Sequence, residues 1–128
     1  MRDEQVRRYA RHILLPDVGG LGQTALLVAT GRVDVSERAG LIAACYLAAG
    51  GTGTIVAAHA GEAELTTLGA FNPDAKIVKE SPPDVRPIPV AIPEPPPWWL
   101  DTAGDETALA FWRGGIAAVR WMAPIANR

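Results

Sequence analysis

The sequence has one cysteine, little net charge and no continuous apolar run long enough to cross a membrane. With Cys45 alone, an internal disulfide and a zinc site built from several cysteines are both excluded. A membrane span needs roughly 20 apolar residues, and no stretch approaches that length. Three of the first five residues are charged, so we expect no signal peptide there. These absences predict a cytoplasmic protein without a metal centre or membrane contact.

The charge balance also bears on partners. A net charge of -2 argues against nucleic acid or an anionic membrane as the main partner, because both attract proteins through positive charge. Of the 128 residues, 48% are hydrophobic and 20% are charged. That composition is typical of one globular domain rather than a disordered chain.

Two helices are predicted in the first thirty residues. Asp3 is a suitable N-cap for the first, and Pro16 follows its end. A second helix is predicted over 21–30, with Gly31 as its C-cap. The apolar stripe of the first helix, at helical spacing, consists of Val6, Tyr9, Ala10 and Ile13.

A compact βαβ unit is predicted next. Residues 32–36 and 54–58 have the composition of short strands, and residues 37–49 between them form a helix that ends at Gly50-Gly51. Strand, helix and strand in this order imply parallel strands and a right-handed crossover. The helix is expected to bury one face, made of Leu41, Ile42, Cys45 and Tyr46.

A helix over 62–71 and a third strand over 76–79 are predicted next. The chain then becomes rich in proline. Eight of the eleven prolines follow between Ser81 and Pro97, which excludes a regular helix across that segment. We expect an extended edge segment over Val85–Ile92 and otherwise a stiff polyproline-like connector.

The last predicted element is a long helix from Asp101 to Ala123, with Asp101 or Thr102 near its N-cap. Its apolar stripe consists of Leu109, Trp112, Ile116 and Val119. The whole pattern predicts an α/β chain: a truncated, Rossmann-like, three-layer fold with a small, mostly parallel sheet. Residues 1–80 would form its main domain, 81–100 a connector, and 101–128 a helix that packs on the same domain.

Four short motifs resemble those of one enzyme family. They are Arg8–Pro16 (Arg-Tyr-Ala-Arg-His-Ile-Leu-Leu-Pro), Gly22–Leu26 (Gly-Gln-Thr-Ala-Leu), Tyr46–Ile55 and Asn72–Pro73. Over residues 2–79 their order and spacing resemble the ThiF/MoeB/HesA family of ubiquitin-activating-enzyme-like adenylyltransferases. The resemblance implies a Rossmann-type domain at 1–80 and a tendency to form dimers.

The chain departs from that family where the nucleotide's phosphates would lie. The family's first strand leads into a glycine-rich loop, whose backbone can approach phosphates at a helix N-terminus. Here the same stretch reads Glu37-Arg38-Ala39-Gly40-Leu41-Ile42, and Gly40 is the one glycine that remains. Glu37 adds a carboxylate where the resemblance implies a triphosphate, and Arg38 offsets part of that charge without restoring the space.

Other parts of the implied nucleotide site are missing too. The family's second strand ends in an acidic residue that binds the ribose, whereas His59 stands at that place here. The segment from Ala60 to Asn72 is short and has no arginine or lysine to hold phosphates. We therefore expect no catalytic residue and no cofactor. His12 and His59 have no neighbouring ligands, so we expect no bound metal.

Six residues are candidates for a protein interface. In the family resembled, the second arginine of the Arg-Tyr-x-Arg motif reaches the partner's nucleotide, which would be the role of Arg11. A solvated helix residue and a plain interface ion pair are the alternatives. Trp98 and Trp99 would either clamp the connector onto the core or anchor a partner. Trp112 and Trp121 are nine residues apart on one helix, so one of them is expected to face a partner. The six candidates are Arg8, Tyr9, Arg11, Trp98, Trp99 and Trp121.

Three functions remain open at this point. The first is a non-catalytic pseudo-adenylyltransferase that acts as a structural or regulatory subunit, in a homodimer or in a heterodimer with an active relative. The second is a protein that binds a nucleotide or small molecule in an altered pocket near Glu37, Arg38 and His59, or retains some adenylyltransferase activity. The third is a scaffold whose proline-rich arm, Pro82 to Pro97, binds a partner.

Overall fold

The computed structural model describes residue 2, residues 19–101 and residues 105–127. The helix expected near the N-terminus lies outside these residues, and so do the interface candidates Arg8, Tyr9 and Arg11.

A four-stranded sheet forms the centre of the fold. Its strands are β1 (Thr30–Asp34), β2 (Thr54–Ala58), β3 (Lys76–Val78) and β4 (Ile88–Pro89). They lie in the order β3-β2-β1-β4, and each neighbouring pair is parallel. This confirms the predicted α/β class, a truncated Rossmann-like fold with a small parallel sheet.

Five helices accompany the sheet in the described residues. They are α1 (Gly19–Val28), α2 (Arg38–Ala49), α3 (Glu62–Phe71), α4 (Pro97–Asp101) and α5 (Glu106–Ala126). The crossovers that parallel neighbours require are supplied by α2 between β1 and β2, and by α3 between β2 and β3. The chain returns from β3 without a helix, and β4 then pairs with the other side of β1.

One face of β1 is covered by two helices. Buried and exposed residues alternate along β1, where Gly31 is buried and Arg32 and Asp34 are exposed, as in a strand with one face in the core. A Cβ added at Gly31 would lie 3.0 Å from Leu47 Cδ2 of α2 and 3.0 Å from Trp121 Cζ2 of α5. The two helices therefore pack on the same face of β1, close to its backbone.

The boundary between α1 and β1 corrects two predictions. The helix predicted over 21–30 ends at Val28, and Gly31 lies in β1 rather than capping the helix. The strand predicted over 32–36 begins earlier, at Thr30. The reason is strand pairing, because Gly31 is opposite Ile55 of β2 in the parallel ladder.

Two motif residues hold the C-terminal end of α2. Gln23 Nε2 donates to the carbonyl oxygen of Gly50 at 3.0 Å, and Asn72 Nδ2 donates to that of Ala48, also at 3.0 Å. Both side chains are buried. The last carbonyls of a helix lack partners within the helix, and these buried amides add side-chain donors to carbonyl oxygens at that end of α2. The Gly-Gln and Asn-Pro motifs thus have a structural role here.

The buried face of α2 is not the predicted one. The expected face held Leu41, Ile42, Cys45 and Tyr46, but the first three are half-buried and Tyr46 is exposed. The helix instead buries the face that carries mostly alanine and glycine, because small side chains allow close packing against both the sheet and α5. The buried residues are Ala39, Gly40, Ala43, Ala44, Leu47 and Ala48.

The same correction applies to α5. Its predicted stripe included Val119, which is 61% exposed. A Cβ at Gly114 would lie 2.7 Å from the carbonyl oxygen of Ala39, so α5 approaches α2 closely at this glycine. The residues that α5 buries are Ala110, Gly114, Ala117, Ala118, Trp121, Ile125 and Ala126. Among the larger side chains of the two helices, Tyr46, Phe111 and Val119 are left exposed.

The segment before α5 also differs from the prediction. Asp105, and not Asp101 or Thr102, caps α5 by accepting from the Thr107 backbone N–H at 2.8 Å. The connector ends in the short helix α4, whose first residue, Pro97, is a favoured type at that position. The predicted edge segment contains β4.

Candidate functional site

The carboxyl ends of β1 and β2 bring Asp34 and His59 together. His59 Nδ1 lies 3.2 Å from Asp34 Oδ1, and both side chains are more than half exposed. His59 has a φ of 65°, the left-handed conformation that a non-glycine residue seldom adopts. The tight turn that ends β2 thus places the imidazole beside the end of β1.

Ser36, two residues after Asp34, stabilises the ionised form of the Asp34 carboxyl group. Ser36 Oγ donates to Asp34 Oδ1 at 2.7 Å, and the Ser36 backbone N–H donates to the same oxygen at 2.9 Å. Hydrogen bonds to the ionised form favour it, so the side chain of Ser36, then its backbone, lowers the pKa of Asp34 to about 2, with a smaller contribution from His59.

The N-terminus of α2 is engaged by side chains of α5. Arg113 Nη1 donates to the Glu37 carboxylate, and Arg113 Nε donates to the carbonyl oxygen of Pro93 at 2.8 Å. Arg38 Nη1 donates to Thr107 Oγ1 at 2.9 Å. Both charged residues at the start of α2 are therefore bonded to α5.

Gly40 is required by close packing of α2 on β1. A Cβ at this position would overlap the carbonyl oxygen of Asp34. Gly40 therefore serves contact between helix and strand, which is one of the uses of glycine in turns between a strand and a helix.

A small cavity lies beside these contacts. Its volume is about 260 Å³, and its charged lining residues are Glu37, Arg38, Glu106 and Arg113. Two acidic and two basic side chains leave the cavity without an excess of positive charge. Such a lining does not favour a polyanion such as a triphosphate.

A second concave region has an apolar lining. It is a groove of about 370 Å³ on the outer side of α2 and α5, and we name it the α2/α5 surface. None of its lining residues is charged, and Phe111, Val119 and Tyr46 are 52%, 61% and 46% exposed. The α2/α5 surface is lined by Tyr46, Phe111, Trp112, Gly115, Ile116, Ala118, Val119 and Met122.

The tryptophans extend this surface at one end. The rings of Trp98 and Trp99 have centroids 5.6 Å apart, and those of Trp99 and Trp112 are 6.5 Å apart. Trp99 is half-buried against α5, whereas Trp98 is exposed. Trp121 lies within the chain's own core, where its Nε1 donates to the Ile88 carbonyl oxygen at 3.0 Å. This is not the partner-facing position expected from the sequence.

The candidate residues are brought together only in part. Glu37 and Arg38 bond to α5 at the N-terminus of α2, whereas the ion-pair partner of His59 in the described residues is Asp34. Gly40 packs against β1 instead. Sequence reasoning missed Asp34 and Ser36, although an aspartate two positions before a serine is a common turn signature. It also missed Arg113, an isolated cation on the long helix.

The described residues contain no group of three or more His, Cys, Asp or Glu side chains placed to hold a metal ion. Cys45 is half-buried, and burial raises the pKa of its thiol, which lowers its reactivity. Within the part of the chain that the structure describes, no helix is both long and apolar enough to cross a membrane.

Comparison with models of known protein families gives no match, and no curated protein is significantly similar to the chain.

Proposed function

We propose that the chain is a non-catalytic subunit that acts by binding another protein, either a second copy or an active relative of the ThiF/MoeB type. The observation that carries this proposal is the seating of α5 on the N-terminus of α2. The side chains of Arg113 and Thr107 bind Glu37 and Arg38 at the place where the resemblance implies the phosphates of ATP.

Electrostatics supports the proposal. A helix N-terminus attracts phosphates through free N–H groups and its dipole, but a carboxylate there competes for the same interaction. Glu37 supplies that carboxylate at the position that precedes α2. ATP bound there would have to compete with Glu37 for Arg113.

The α2/α5 surface supports the protein-binding half of the proposal. Large side chains on monomer surfaces usually occur singly, whereas contiguous apolar patches with aromatic residues mark interaction sites. Here Phe111, Val119 and Tyr46 lie around one uncharged groove. The proposal keeps the expectations from the sequence that the protein works in the cytoplasm and does not bind nucleic acid or membrane.

A second candidate is a small-molecule binding protein that uses the cavity beside Glu37. The charged lining of this cavity favours ligand binding over a purely structural role for that edge of the sheet. The arginines there already have partners, however, so a ligand must compete with Glu37 and Thr107 for them.

A thermal-shift screen with ATP, other nucleotides and small anionic metabolites, each with Mg²⁺, tests the two candidates. A ligand present at about 100 times its Kd stabilises a protein by about 2.7 kcal/mol, which is an easily measured rise in Tm. We expect no rise with any ligand at millimolar concentration. A rise that Arg113→Gln or Arg38→Gln abolishes would replace the first proposal with the second.

A further inference from the structure

We infer that the α2/α5 surface binds a second copy of this chain, with α5 of each protomer packed antiparallel against the partner's α5. This inference rests on the proposed protein-binding function and identifies the partner. The helix stripe that carries it consists of Phe111, Gly115 and Val119, which are spaced four residues apart and so lie on one side of α5.

The exposed apolar area is of the size that a dimer requires. An aromatic side chain offers roughly 150–250 Å², and Phe111, Tyr46 and Trp98 are each about half exposed. With Val119 they present about 400 Å² of apolar area, before the half-buried neighbours are added. A standard interface covers about 800 Å² per partner, of which about 65% is apolar in homodimers.

The shape of the stripe suits a twofold contact. Gly115 lies between the larger side chains of Phe111 and Val119, so it forms a depression between two ridges. A Cβ at Gly115 would have its nearest neighbour, Tyr46 Cε2, at 3.8 Å, which shows that the glycine is not needed for packing within the chain. Gly114, in contrast, is packed tightly against α2.

A twofold axis through Gly115 pairs the ridges. Phe111 precedes Gly115 by four residues and Val119 follows it by four, so antiparallel helices would place Phe111 against the partner's Val119. The close approach of two helices at a glycine would resemble the contact that Gly114 already makes with α2. The residues on the two sides of such an interface are the same, as isologous contacts require.

The absence of charge favours a second copy over a charged partner. No residue that lines the α2/α5 surface is acidic or basic, so apposing two copies brings no like charges together. A surface that recognised an acidic or basic partner would be expected to carry complementary charges at its rim or centre.

Analytical ultracentrifugation of the full chain from about 1 to about 200 µM tests the inference. We expect a species of twice the 13.5 kDa chain mass. Phe111→Glu should weaken association ~100-fold or more, because the carboxylate is desolvated on both sides of the twofold. Phe71→Glu on α3 is the matched control, since Phe71 is also 52% exposed. It should associate as the wild type does.

Val119→Glu and its control Val28→Glu repeat the comparison with a smaller side chain. All four substituted residues are exposed, so the variants should fold. Circular dichroism verifies that they do. A wild type that stays monomeric at the highest concentration overturns the inference. Dimers that Phe111→Glu and Val119→Glu leave intact overturn it as well.

The same experiment separates this inference from the proposed function. With about 50 µM ATP and Mg²⁺ present, absorbance at the nucleotide's wavelength reports whether ATP sediments with the protein. Co-sedimenting ATP would replace the proposed function with the second candidate, a protein that binds a small molecule, whatever the oligomeric state. A monomer without bound nucleotide would overturn the inference that the partner is a second copy. The proposed function would then stand with a different protein partner.

Discussion

Arg113 of α5 bonds the carboxylate of Glu37, the residue that precedes the first turn of α2. The Arg113 side chain is mostly buried, whereas that of Glu37 is about half exposed. A residue of α5 is thereby bonded near the carboxyl edge of the sheet, where ligands bind in open α/β sheets.

Arg113→Gln should destabilise the protein by about 2 kcal/mol. The change removes a charged donor from Glu37 and from the carbonyl oxygen of Pro93, and bonds to charged groups contribute more than neutral ones. Arg120→Gln is the control, because Arg120 is exposed and forms no hydrogen bond or ion pair with the described residues. It should change the free energy of unfolding by less than about 0.5 kcal/mol in a urea titration. Equal effects would mean that Arg113 does not hold α5 on α2.

Gly114→Ala should destabilise the protein by about 1 to 3 kcal/mol. A Cβ there would lie 2.7 Å from the Ala39 carbonyl oxygen and 2.8 Å from Ile42 Cγ2, so α5 must move away from α2. Gly69→Ala within α3 is the control, because open space surrounds Gly69 and alanine favours the helix by about 0.5 to 1 kcal/mol. We expect the changes in the free energy of unfolding, measured by chemical denaturation, to have opposite signs for the two variants. Stabilisation by both substitutions would contradict the described helix contact.

Ser36→Ala should raise the pKa of Asp34. The Ser36 hydroxyl is the main cause of the lowered value, and the backbone bond that remains should keep the pKa below that of an ordinary aspartate. Since the folded-state pKa is lowered, this carboxylate stabilises the fold above about pH 4, and its contribution is lost as pH falls through about 2. The variant should therefore lose less stability over that range. An NMR titration of the Asp34 carboxyl carbon gives the pKa directly, and His59→Ala should shift it less than Ser36→Ala.

His59→Gly should be more stable than His59→Ala by about 1 kcal/mol. Both variants lose the exposed contact with Asp34, but only glycine adopts a φ of 65° without steric strain. Thermal unfolding of the two variants measures the difference. A stability order with alanine above glycine would contradict the left-handed turn at the end of β2.

The elements of the fold could be predicted from the sequence because local signals agree with the tertiary structure. The strand around Val56, the helix from Glu62 to Phe71 and the proline-rich return were all marked by composition and by their flanking residues. The buried faces of α2 and α5 could not be predicted in the same way. Hydrophobic spacing selects the large residues, whereas most of the residues that these helices bury are alanine or glycine, because Gly114 and its neighbours allow close contact.

The candidate site was predictable where it depended on residue type and unpredictable where it depended on long-range contact. Glu37 and Arg38 stand out in a stretch where the resemblance implies glycine. Nothing local in the sequence indicates that Arg113, which is 76 residues from Glu37, would bond to it. The apolar groove also depends on tertiary structure, since it needs Tyr46 of α2 beside Phe111 of α5.

Isothermal titration calorimetry of the full chain with ATP and Mg²⁺ tests the non-catalytic proposal most directly. With Glu37 and Arg113 paired at the N-terminus of α2, we expect no heat of binding at millimolar ATP. A saturable heat with a micromolar Kd would contradict the account and would mean that the sheet edge opens to a nucleotide.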